Sequence, residues 1–280
     1  MSVPNTVAVV GGGTMGAGIV HVFLAAGSSV VLAEADAVRA AVGLSNVEAS
    51  LRKAEERGKL DRSATELLGR LSTVEDLGAL PEDTALVVEA VPEKLDLKRA
   101  VFDAVARRCP GAVLASNTSS LSITELAGGL PGERVIGMHF FNPVPVQALV
   151  ELVLHPGLAA ETVATVRGWA EALGKTVIEV RDSPGFATSR LGLVVGLEAI
   201  RMLAEGVATA EDIDTGMRLG YAWPMGPLRL TDLVGLDVRL SIAEHLAAEL
   251  GPRFEPPQLL RDKVARGELG RKTGQGFFTW

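Results

Sequence analysis

The chain has 280 residues, of which 48 % are hydrophobic and 22 % charged. This balance excludes a disordered, collagen-like or disulfide-framework protein, and at roughly 150 residues per domain it suggests two domains. The net charge of −7 argues against general binding of nucleic acid or acidic membrane, although it leaves room for a local basic pocket.

In chain order, short runs of Val, Ile, Leu and Ala predict strands at 6–10, 29–33, 86–89, 113–116, 135–140, 149–154 and 176–180. Helical patterns lie between them at 15–26, 37–57, 94–108 and 160–173. The alternation predicts an α/β fold, a Rossmann-type doubly wound, mainly parallel sheet. After Pro184 the strands stop. Helical spacing covers 191–205 and ends at Gly206; Thr209 with Asp212 resembles a capping box; 231–250 is helical around an internal Gly235. The expected domains are therefore 1–184, an α/β domain, and 185–280, an all-helical C-terminal domain rich in Leu, Val and Ala. Such a domain is expected to bury a face against the first one or against a second subunit.

The one cysteine, Cys109, is expected to be an inert thiol, and no Cys/His cluster has metal-ligand spacing, so no metal is expected. The N-terminal residues lack a basic segment followed by a long apolar run, and no stretch reaches the roughly 18 uninterrupted apolar residues of a membrane span. Cytoplasm is the expected compartment.

The first predicted strand runs into Gly11-Gly12-Gly13-Thr14-Met15-Gly16, which is G-x-G-x-x-G between a strand and a helix. Gly11 permits a tight turn, Gly13 lets the backbone approach a pyrophosphate, and Gly16 allows close helix–strand packing. The helix N-terminus behind Thr14 and Met15 offers free N–H groups to phosphates. Glu34 ends the second strand, where a carboxylate accepts hydrogen bonds from the adenine ribose and repels a 2′-phosphate. NAD is the expected cofactor, with the first domain as its binding domain.

His139 sits at the end of an apolar strand before a turn stiffened by Pro143 and Pro145. Glu151 interrupts the next apolar run, where an unpaired carboxylate is expensive to bury. A His–Glu pair relieves that cost, holds the imidazole tautomer and stabilises the imidazolium. A dehydrogenase needs such a pair, because a base must take the hydroxyl proton while hydride leaves.

The combination resembles the 3-hydroxyacyl-CoA dehydrogenase family, including 3-hydroxybutyryl-CoA dehydrogenases. The matching stretches are 11–20, 88–93, 115–120, 139–145 with 149–153, 183–186, 224–228 and 270–277, in the family's order over nearly the whole chain. The resemblance implies that His139 is the general base and Glu151 its orienting partner. It further implies that Ser119 bonds the substrate oxygen near the nicotinamide and that Asn142 holds the nicotinamide side. Glu93, Lys98 and Lys272 match dinucleotide contacts, and Ser50 and Arg57 match coenzyme A contacts. The implied reaction is reversible, NAD-dependent oxidation of an (S)-3-hydroxyacyl-CoA to the 3-oxoacyl-CoA by a homodimer joined through its C-terminal domain.

One departure stands out. Ser189 occupies the place where the family usually has an Asn that holds the substrate, and serine offers one short hydroxyl in place of an amide. The acyl group is therefore open. A hydroxyacyl group on acyl carrier protein, a free hydroxyacid, or an inactive NAD-binding structural or regulatory protein remain as alternatives.

Overall fold

The structure, a computed structural model, describes residues 2–280. Its elements in chain order are β1 (Thr6–Val10), α1 (Thr14–Ala25), β2 (Ser29–Ala33), α2 (Ala37–Glu56), α3 (Ala64–Leu68), β3 (Leu71–Val74), β4 (Leu86–Glu89), α4 (Leu95–Arg108), β5 (Val113–Ser116), α5 (Ile123–Ala127), β6 (Val135–Phe140), β7 (Leu149–Leu154), α6 (Ala160–Ala172) and β8 (Thr176–Arg181), then α7 (Thr188–Ala204), α8 (Ala210–Gly220), α9 (Pro227–Val234), α10 (Leu236–Leu250) and α11 (Gln258–Ala265). Two compact units result, one ending at Asp182 and the other running Ser183–Trp280.

The first unit is built on one sheet of order β3-β2-β1-β4-β5-β6-β7-β8. Only the β6–β7 pair is antiparallel; the remaining pairs are parallel. Its first six strands have the 3-2-1-4-5-6 order of a doubly wound dinucleotide fold, whose ligand crevice opens where the order reverses, between β1 and β4. Central strands such as β4 and β6 are buried along their whole length, which is why they read as nearly continuous apolar runs, interrupted by Glu89 and His139. The core beneath them joins Val7, Val9, Phe23, Leu32, Val88, Ile136 and Phe140.

The structure adds β3 and the short helices α3, α5 and α11 to the sequence expectation. Strand β3 has only its end residues half-buried and lies at the sheet edge, so its Leu-Ser-Thr-Val run lacks the apolar continuity of a central strand. Helix α3 is five residues long, and its start is fixed by Ser63, whose side chain accepts from Glu66 N.

The second unit is helical with its own core, including Leu193, Leu197, Leu228, Leu236, Leu246 and Phe254. The helix expected over 231–250 is broken in two at Gly235, whose φ of +105° serves α9 as C-cap and α10 as N-cap. Thr209 caps α8 as expected, accepting from Asp212 N. No helix among the described residues is long and apolar enough to cross a membrane.

Candidate active site

At the β1/β4 switch point, Gly11 has φ +100°, and a Cβ there would lie 2.8 Å from Ala90 O. A Cβ on Gly16 would fall 1.7 Å from Gly11 O, so α1 presses against the turn as the motif requires. Gly13 is exposed, with nothing within 4 Å of a Cβ. It precedes α1 without a side-chain cap, leaving the first-turn N–H groups for a ligand.

The turn borders a cleft of about 680 Å³ lined by residues 10–15, Glu34, Arg39, Asn46 and 90–92, among others. Val38, Val42 and Leu97, which are 74 %, 56 % and 40 % exposed, also line it. Exposed aliphatic side chains gathered in one cleft suit a flat adenine. Glu34 Oε1 accepts from Gly12 N at 2.5 Å, so the carboxylate braces the glycine turn as well as facing the cleft. The free amides, the open glycine, the acid and the apolar wall together fit a dinucleotide.

Behind this cleft lies a buried ionic network. Lys98, 1 % exposed, donates to Glu89 Oε1 and Oε2 at 2.8 and 3.0 Å and to Val91 O at 3.1 Å. Its ammonium also lies 3.2 Å from Glu93 Oε2. Lys98, expected against the dinucleotide, lies buried behind the cleft and braces Glu93, and its three N–H donors are occupied. Glu93 Oε1 in turn accepts from Thr118 Oγ1, Ser119 N and Ser120 Oγ at 2.5, 3.0 and 3.2 Å. Burial works to raise the Glu93 pKa, but the Lys98 charge and these hydrogen bonds outweigh it and hold the carboxyl below its ordinary value. For Glu89, burial wins and pushes the carboxyl up. Glu89, Ser116 and Asn117 were not singled out from sequence. An acid ending the buried strand β4, nine residues before a lysine, was the available signal.

At the far side of the sheet, His139 on β6 stands opposite Glu151 on β7 in the antiparallel register, which sets their side chains on one face. His139 Nδ1 lies 3.0 Å from Glu151 Oε2, with side chains 9 % and 0 % exposed. The imidazole packs on Phe141, ring centroids 4.5 Å apart. Asn117 Oδ1 accepts from Phe140 N at 2.9 Å, tying the β5 end, and with it Ser119, to the β6 end beside His139.

Asn142 is exposed and follows directly. It shares a smaller cleft of about 230 Å³ with Thr14, Asn46 and Ser50. Ser50 Oγ is 2.8 Å from Nδ1 of His21, a residue given no role in the sequence reading. Arg57 is exposed at the end of α2. Within the second unit, Ser189 is half-buried in the first turn of α7, and the Lys272 ammonium pairs with both Asp237 oxygens at 2.6 Å. Cys109 is fully buried. His155 is spent on structure, with Nε2 near Gly132 O and Val135 O.

A doubly wound sheet with a dinucleotide cleft at its switch point and a buried His–carboxylate pair beyond it defines the class, an NAD-binding oxidoreductase. Residues 6–183 match the model of the 3-hydroxyacyl-CoA dehydrogenase NAD binding domain, and residues 185–280 match that of the 3-hydroxyacyl-CoA dehydrogenase C-terminal domain. A probable 3-hydroxybutyryl-CoA dehydrogenase of Bacillus subtilis is 43 % identical, over 97 % of this chain and 96 % of its own. The human mitochondrial hydroxyacyl-coenzyme A dehydrogenase is 39 % identical, over 98 % and 90 %. The crystal structure of the Ralstonia eutropha (S)-3-hydroxybutyryl-CoA dehydrogenase superposes with a TM-score of 0.93 at 40 % identity, covering 99 % of both chains. The chain belongs to the 3-hydroxyacyl-CoA dehydrogenase family, and its cofactor is NAD.

Proposed function

We propose that the protein oxidises the 3-hydroxyl of an (S)-3-hydroxyacyl-CoA of the 3-hydroxybutyryl type, reversibly, with His139 as base. The reading is carried by the buried His139–Glu151 pair, 3.0 Å apart on adjoining strands. With Nδ1–H donated to the Glu151 carboxylate, Nε2 keeps its lone pair and takes the hydroxyl proton. Glu151 fixes the tautomer and stabilises the imidazolium. NAD, when bound, supplies the acceptor for the hydride leaving the carbinol carbon. In the reverse direction the imidazolium returns the proton to the 3-oxo oxygen.

Ser119 and Asn142 are assigned to the reacting end, with Ser119 supported by the Glu93 bonds that fix its loop. Glu93, Glu34, Lys272 and residues 11–16 are assigned to the dinucleotide, with Lys98 acting through Glu93. Ser50 and Arg57 are assigned to coenzyme A, and Ser189 to the acyl group. Homodimerisation through the second unit is supported by Leu191, Val207, Leu219 and Tyr221, which are 65 %, 61 %, 77 % and 75 % exposed. Sedimentation at micromolar concentration tests it, and a monomer throughout would remove it.

The functional test is NADH oxidation with acetoacetyl-CoA, wild type against His139→Ala. Turnover that falls about 10² or more supports the base, and turnover indifferent to the substitution overturns it. The same acyl group on acyl carrier protein, and free acetoacetate, test the carrier.

A further inference from the structure

The first unit holds a buried histidine that the chemistry above does not use. His21, inside α1, is 4 % exposed, and its Nδ1 lies 2.8 Å from Ser50 Oγ on α2. Burial first, and then the charge of Lys175, bring its pKa down to about 4, so the ring is neutral at physiological pH. Lys175 is itself buried, and its ammonium donates to Val144 O and Gln147 O at 2.6 and 2.7 Å. It thereby fixes the loop after Asn142, which forms the opposite wall of the smaller cleft.

That cleft is lined by Thr14, Asn46, Ser50, Asn142 and Val144, among others, and no charged side chain lines it. Recognition there falls to hydroxyl and amide groups, so the direction of each proton matters. A neutral imidazole has one N–H and one lone pair. If Nδ1 carries the proton, it donates to Ser50 Oγ, and the serine proton is left to point into the cleft. If Nε2 carries it, Nδ1 accepts the serine proton, and Ser50 offers the cleft only lone pairs. A phosphate or carbonyl oxygen can be bound by Ser50 in the first arrangement alone.

We propose that His21 is a positioning residue: as the Nδ1–H tautomer it donates to Ser50 and turns the serine proton toward an acceptor oxygen of the coenzyme A moiety. This rests on the reading of Ser50 as a coenzyme A contact. His21 touches no reacting atom, so its effect falls on thioester affinity and leaves the proton transfer at His139 alone.

The test uses the full chain, with KM and kcat for acetoacetyl-CoA and, separately, KM for NADH. Ser50→Ala is expected to raise the thioester KM about five- to tenfold, the loss of one hydrogen bond. His21→Leu is expected to match it, and the double variant to add little to either. His21→Asn, whose amide N–H can stand where Nδ1–H stood, recovers most of the loss and guards against a misfolded leucine variant. The NADH KM stays within about twofold of wild type throughout, since one uncoupled hydrogen bond is the unit at stake. Nitrogen-15 NMR of labelled histidine is expected to find His21 Nδ1 protonated. An unprotonated Nδ1, or a wild-type thioester KM in His21→Leu while Ser50→Ala raises it, overturns the inference and leaves the Ser50 reading intact. A wild-type KM in Ser50→Ala overturns both.

Discussion

In the first unit a buried cation, Lys98, lies within 2.8 Å of Glu89 and 3.2 Å of Glu93. In the second, Arg239 is 6 % exposed, and its Nε is buried without a hydrogen-bond partner among the described residues. The acids of the two units differ in the same way; in the first, Glu89 is buried and Glu93 exposed. Glu89 and Glu93 serve a network that ends at the Ser119 loop. Asp214 instead accepts from Leu228 N and Arg229 N at the start of α9. Asp232 accepts from Phe277 N, Phe278 N and Trp280 Nε1, fastening the C-terminal tail. Around Lys98, next to the cofactor cleft, the first unit pairs charge with charge, where several groups must be held at once, whereas its Lys175 is met by the carbonyls of Val144 and Gln147. The second uses buried acids to satisfy backbone, and its buried cation sits in a stripe with Leu236, Ala243 and Leu246.

The sharpest way to break this comparison is at the His139–Glu151 pair. His139→Ala is expected to lower kcat by about 10²–10⁴, the usual range for a general base. Glu151→Gln keeps the shape and removes the charge, and its loss should fall on kcat more than on KM. Steady-state kinetics in both directions checks this, and equal effects on KM alone would move the pair out of the chemistry.

Next comes the network itself. Lys98→Met removes the cation and leaves the buried Glu89 carboxylate, with the exposed Glu93 beside it, without a counter-ion. The expected destabilisation is about 3–5 kcal/mol, the range for breaking a buried pair. Chemical denaturation read as a midpoint change at constant m measures it. A cost below about 1 kcal/mol would place Lys98 among ordinary surface pairs.

His21 gives a smaller effect with a defined pH window. Its pKa falls from 6.5 to about 4 on folding, so the unfolded chain takes up a proton that the folded chain refuses. The corresponding stability is complete above pH 6.5 and is lost as pH falls from 6.5 toward 4. Allowing for solvent penetration, the loss is about 2 kcal/mol. His21→Asn has no such proton to bind, so its stability should fall less steeply over that window. Parallel curves for the two proteins would remove the burial penalty as the cause.

How far the sequence could reveal these features follows from how they are built. Strands β1, β4 and β6 were visible because burial on both faces leaves runs that are apolar but for an end residue or one functional side chain, Glu89 in β4 and His139 in β6, and the glycine turn because backbone approach excludes side chains. His139 and Glu151 were visible because a carboxylate inside an apolar strand demands a partner. Glu89 and Lys98 were harder, since only the turn between β4 and α4 folds the lysine back onto its acid. Asp232 reaches a tail 45 residues and more away, and no local pattern announces such a bond. Ser50 was singled out by resemblance, but the histidine beside it comes from a different helix, and that pairing is a property of packing alone.

The smallest expected effect has the opposite sign. Arg239 is desolvated, which brings its pKa down to about 10, and no ion pair with it occurs among the described residues to offset that cost. Arg239→Met retains much of the length and the apolar stem while removing the charge. Stability should therefore stay level or rise by about 1 kcal/mol, as when buried ionic groups are replaced by apolar ones of similar volume. Lys98→Met, the same kind of exchange in the first unit, should lose several times that amount. Denaturant midpoints of the two variants, compared at one pH and ionic strength, place the two buried cations on one scale. A loss at Arg239 as large as that at Lys98 would mean that the second unit also binds its cation to an anion, and the contrast between the units would fail.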